Sequence, residues 1–164
     1  MRTTSLALVA ILPCLVSALL WRDGVAARAV LLPISPSAYY GAQALFVGPW
    51  LALLATLFAL LAGGMARGLG GRGSLRATWQ ALVPVWALAV LVLFVLPDLF
   101  VVVALGREHL VKAMRFYGPL APIVIVVLAT RRLRALHAIT TGRAALAVIV
   151  ALLGQTVVGA TLLR

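Results

Sequence analysis

Long unbroken apolar stretches dominate this chain; strict alternation and a one-sided helical stripe are largely absent. Five stretches stand out, at about residues 5–21, 44–64, 79–98, 117–134 and 144–163, with short arginine-bearing connectors between them. Apolar runs of this length with few charges predict transmembrane helices. The first, Ser5 to Trp21, gives ~26 Å of helix, near the lower limit for crossing a bilayer. A cleaved signal peptide is its rival, with Arg2 at the start and Ala27-Arg28-Ala29 as a small-x-small site. The run exceeds a usual signal core and the site lies well downstream, which favours an uncleaved span.

The remaining runs differ in clarity. Residues 44–64 form the cleanest span, preceded by Tyr39 and Tyr40, which suit the headgroup layer. Pro33 and Pro36 keep the connector before them from being helical. The third stretch continues apolar to Leu105, ~40 Å of helix, more than a hydrocarbon core needs. Pro84 and Pro97 offer places to bend or break, so its membrane part is expected to end near Pro97–Asp98. Leu110, Val111, Met114 and Tyr117 share one helical face while Lys112 and Arg115 point elsewhere, the pattern of a short helix lying in the interface. The fourth run carries Pro119 and Pro122 and must borrow length from its flanks; the fifth is clear. The expectation is an all-α polytopic transmembrane bundle, one domain over residues 1–164.

Composition agrees with the pattern. At 65% hydrophobic and 10% charged, 164 residues cannot hide their apolar side chains in one small soluble core. The net charge of +11 would suggest nucleic acid in a soluble protein. Here the bases sit at the ends of apolar runs, and no basic tract is interleaved with exposed aromatics, which argues against nucleic-acid binding. With five crossings, eight bases fall on the side of Arg2 and the even-numbered connectors and six on the other. The positive-inside rule then favours N-terminus in and C-terminus out. Thirteen of the fourteen bases are Arg, a bias common in GC-rich bacterial genomes and a compositional hint about source alone.

Few residues offer chemistry. Cys14 is the only cysteine, so no intrachain disulfide or thiol–metal cluster is available, and Pro13 before it argues against a lipidation site. Asp98 is the only acid inside an apolar run. It either marks an ion or proton pathway or, as the position after Pro97 favours, ends a membrane helix and caps the next one. Gln155 in the fifth run suits interhelical hydrogen bonding, beside the small residues Gly154, Thr156, Gly159, Ala160 and Thr161. His137 and His109 lack companions for a metal site, and His137 reads as a packing or headgroup-facing residue. The tract Gly70-Gly71-Arg72-Gly73-Ser74 lacks a phosphate-loop ending and follows a membrane run, so the 65–78 connector reads as a flexible basic loop. No paired carboxylates, nucleophile elbow or metal motif is present; no enzyme and no cofactor are expected.

Two segments carry a resemblance: Gly70-Gly71-Arg72-Gly73-Ser74-Leu75-Arg76-Ala77-Thr78, then Leu133-Arg134-Ala135-Leu136-His137-Ala138-Ile139 followed by Arg143-Ala144. With five spans they resemble the Yip domain family, multi-spanning proteins that interact with Ypt/Rab GTPases, and its prokaryotic relatives. Leu75 departs from an aromatic common there, Ala138 from a common glycine, and the long hydrophilic N-terminal region of eukaryotic members is missing. The resemblance implies a five-helix integral protein of a bacterial cytoplasmic (inner) membrane, a non-enzymatic scaffold or interaction protein, without implying a Rab partner. Its basic loops, with Arg67, Arg72, Arg76, Arg131, Arg132 and Arg134, would meet anionic lipid headgroups, a membrane-protein partner or a second copy. The alternative is a small transporter or channel subunit using Asp98 and Gln155.

Overall fold

A computed structural model describes residues 2–25 and 35–163. The Ala27-Arg28-Ala29 site and Pro33 lie outside them. Among the described residues all regular structure is helical. Helix α1 spans Arg2–Arg22, α2 Tyr39–Gly68, α3 Leu75–Leu105, α4 Leu110–Tyr117, α5 Leu120–His137 and α6 Thr141–Leu163. Four helical stretches are long and apolar enough to cross a membrane: Tyr39–Gly68, Leu75–Leu105, Leu110–His137 and Thr141–Ala160. The third combines α4 and α5, so the short fourth run gains its length from its N-terminal flank.

The helices form an antiparallel bundle in which α2 contacts α1, α3 and α6, while α5 contacts α3 and α6. Rows of small residues line its interior beside large ones such as Phe58, Leu82, Trp86 and Leu133. Ala55, Ala59, Ala62 and Ala66 run down one side of α2, and Ala144, Ala147 and Ala151 down one side of α6, all buried. This spacing lets backbones approach closely, as helix association in lipid requires. Gly154 lies against Leu61 and Gly159 against Leu54, so the glycines of α6 serve its contact with α2. Thr156, also in that small-residue group, is exposed and donates to the Leu152 carbonyl of its own helix (2.8 Å).

Outward positions are larger and as apolar as inward ones. Leu45 is 83% exposed, Phe116 82% and Val103 69%, against 0% for Ala59 and Ala62. Water would penalise such a surface; hydrocarbon does not. The fold is thus compatible with an integral membrane protein.

Helix α3 continues past Pro97–Asp98 to Leu105. It does so by widening into π turns at Leu91–Val95 and Val101–Leu105. The Leu96 N–H reaches back to the Leu91 carbonyl, one residue beyond the α register. That wider turn accommodates the ring of Pro97, which would otherwise crowd the preceding turn. Gly106, at φ 93°, finally stops the helix.

Candidate functional site: an arginine face closed over a histidine

The ends of α2 and α5 and the starts of α3 and α6 meet at one end of the bundle. The glycine tract makes that junction. The Gly71 N–H bonds the Ala66 carbonyl (2.9 Å) and the Gly70 N–H bonds the Arg67 carbonyl (3.0 Å). This pair is a Schellman ending, and it puts the residue after the cap in the left-handed region. Gly70 occupies that position at φ 90°. Ser74 then starts α3, its Oγ accepting from the Ala77 N–H (3.1 Å).

The loop rests on His137, which is fully buried at the end of α5. A Cβ on Gly71 would fall 2.6 Å from His137 Nδ1, and one on Gly73 would fall 2.9 Å from Nε2. The ring therefore occupies space that only glycines leave open. Thr78 donates its hydroxyl proton to the Ser74 carbonyl (2.9 Å), and His137 Nε2 lies 2.7 Å from the same oxygen. Nε2 consequently carries the ring proton and donates it to Thr78. Nδ1 is buried against Gly71 without a hydrogen-bond partner among the described residues. The Arg72 N–H bonds the His137 carbonyl (3.2 Å), and Arg143 Nη1 donates to the Leu69 carbonyl (3.2 Å) at the end of α2. The expectation of a flexible loop is corrected here: only residues 69–74 separate α2 from α3, and they are pinned at both ends. His137 is the packing residue on which they close.

Arg67, Arg72, Arg76, Arg131, Arg132 and Arg134 are all exposed at this end, and Arg143 joins them. None of the three acids is here. Asp23 follows α1, beside the start of α2, where Trp21 packs against Gly41; Asp98 and Glu108 belong to the far end of α3 and the turn after it. The two basic connectors, distant in sequence, thus form one face of a single sign.

The two intramembrane polar candidates are not brought together. Asp98 lies ~35 Å along α3, near the far boundary of a ~30 Å hydrocarbon slab. It is half-buried inside the helix and accepts a hydrogen bond from Tyr117 of α4, so it does not cap the next helix. Tyr117 also meets Phe94 edge-to-face, with centroids 6.2 Å apart. Gln155 is buried on α6, whose neighbours are α2 and α5, and its Oε1 has no partner among the described residues. Among the described residues no three metal-ligating side chains cluster.

Sequence reasoning missed His137 as the hub and Arg143 as a clasp. The available signal was the Gly-x-Gly spacing at 71 and 73, wide enough to admit a ring. No family model, curated protein or solved structure matches this chain.

Proposed function

We propose that this is a non-enzymatic scaffold or interaction protein of a bacterial cytoplasmic membrane, whose arginine face engages anionic headgroups on the cytoplasmic side. Its N-terminus would lie inside and its C-terminus outside, and the Yip type remains the family we propose on the two loop segments. The observation that supports it is the gathering of seven exposed arginines, and no acid, on a face held together through His137. A fixed single-sign surface attracts an anionic bilayer by ~1 kcal/mol per basic residue near it, falling off within a Debye length.

The protein, embedded in zwitterionic nanodiscs, should be captured by vesicles containing phosphatidylglycerol. Arg72→Gln, Arg76→Gln, Arg131→Gln and Arg132→Gln together should lower capture at least tenfold, and added salt should lower it in the parent. Capture unchanged by these substitutions would overturn the proposal. The alternative is a small transporter or channel subunit. Gln155 Oε1, buried without a donor among the described residues, speaks for it, while the separate helix pairs holding Asp98 and Gln155 speak against a shared cavity.

A further inference from the structure

A groove of about 970 Å³ runs between α3 and α5 on the outside of the bundle. Its α3 wall includes Pro84, Leu88 and Val92, and its α5 wall Val124 and Leu128. Gln80, Arg131 and Arg132 stand at one end. The Thr78–His137 hydrogen bond sets the antiparallel register and places that end beside the arginine face. From Ala77 to Val92 the groove extends ~22 Å at 1.5 Å per residue. One leaflet, headgroup included, measures about the same, ~20–22 Å.

Chemistry is graded along this length. The deep part is apolar, with Leu88 and Val92 each about half exposed and Ala89 forming a buried floor. Irregular helix shapes it: Pro84 lies midway, and Val92 and Leu93 belong to the first π turn of α3. At the mouth two guanidiniums are exposed with no acid among the lining residues. Pro84 has no N–H to donate to the Gln80 carbonyl four residues before it, so that helical bond is missing midway along the groove.

From this graded groove we infer that it binds one phospholipid with an anionic headgroup, its phosphate on Arg131 and Arg132 and an acyl chain along α3 and α5. This rests on the arginine face meeting headgroups, and it adds a single site of defined stoichiometry. Bulk lipid coating the bundle would wet the same walls without preferring a headgroup. Arginine pairs well with phosphate because its planar fork offers parallel donors.

The test uses the whole protein in mild detergent with an equal mixture of phosphatidylglycerol and phosphatidylcholine, and counts retained lipids by native mass spectrometry. One phosphatidylglycerol per chain is expected. Arg131→Gln with Arg132→Gln should weaken its retention about thirtyfold, the value of two surface charges. Leu88→Trp should also abolish it while leaving both arginines, because the indole obstructs the path of the acyl chain midway. Lys112→Gln with Arg115→Gln, exposed on α4 and outside both the arginine face and the groove, should leave it unchanged. Monodisperse gel filtration and unchanged helicity check each variant's fold. Equal retention of both lipids, no retained lipid, or retention indifferent to Leu88→Trp would each overturn the inference. If Arg72→Gln with Arg76→Gln abolishes retention and the groove variants do not, the arginine face survives and the groove does not.

Discussion

Replacing Gly71 with alanine tests the closure of the loop directly. The new Cβ would lie 2.6 Å from the Ala66 carbonyl oxygen, 2.6 Å from His137 Nδ1 and 2.9 Å from His137 Cβ. None of these atoms is the free end of a flexible side chain. The ring cannot swing away, because it is fully buried and bonded to Thr78. Overpacking of this kind costs about 1–3 kcal/mol. Lifting the loop instead would sacrifice the Gly71–Ala66 and Arg72–His137 backbone bonds, about 1 kcal/mol net for each. A loss of about 2 kcal/mol is expected by either route, which for a chain of this size lowers the melting temperature by about 4–8 °C. Gly64→Ala is the matched control. Its Cβ would meet nothing within 4 Å, in the interior of α2. There the same chemical change should stabilise the helix by about 0.5–1 kcal/mol. Heating the detergent-solubilised variants and following the surviving folded fraction by gel filtration gives both values. A Gly71→Ala melting point within a degree of the parent would refute the seating of this loop on His137. Adding His137→Ala should reduce the cost of Gly71→Ala, since the 2.6 Å contact with Nδ1 disappears while those with the Ala66 carbonyl and the Cβ of residue 137 remain.

Other expectations follow from the same geometry. Ala138 is the one non-glycine residue with positive φ among those described, at 53°, so Ala138→Gly should stabilise by about 1 kcal/mol in the same melting assay. Thr78→Val should cost about 2–3 kcal/mol by leaving the buried His137 Nε2–H without an acceptor, whereas Thr78→Ser, which keeps the hydroxyl, should cost less than about 1 kcal/mol. Tyr117→Phe removes the donor to the half-buried Asp98 carboxylate and should cost about 1–3 kcal/mol; adding Asp98→Leu should recover part of that loss, as a double-mutant cycle would show.

The long helices were legible because lipid-facing and core-facing residues are both apolar, so each span appears as a continuous run. Residues 44–64 sit inside α2 for that reason. The course of α3 was not legible. A proline argues locally for a break, and the π turn that carries the helix past Pro97 depends on packing that spacing does not record. The arginines could be assigned to one side by counting alternate connectors. Their closure into one face could not, because it hangs on a bond between Thr78 and His137, which are 59 residues apart. Ala138 is instructive in another way. Its left-handed backbone would suit a glycine, and nothing in the run before it announces that the chain turns there.

The seat of the glycine loop also sets an order of events during synthesis. His137 lies sixty-six residues downstream of Gly71. At about 5–20 residues per second, the loop therefore waits about 3–13 s after it is made before the ring that it closes on has been added. In that interval α3 must run away from the loop and α4 and α5 must return to it. The arginine face is thus a late product of assembly, completed only when the chain comes back across, and a nascent chain halted before residue 137 carries its first basic connector without the surface it belongs to.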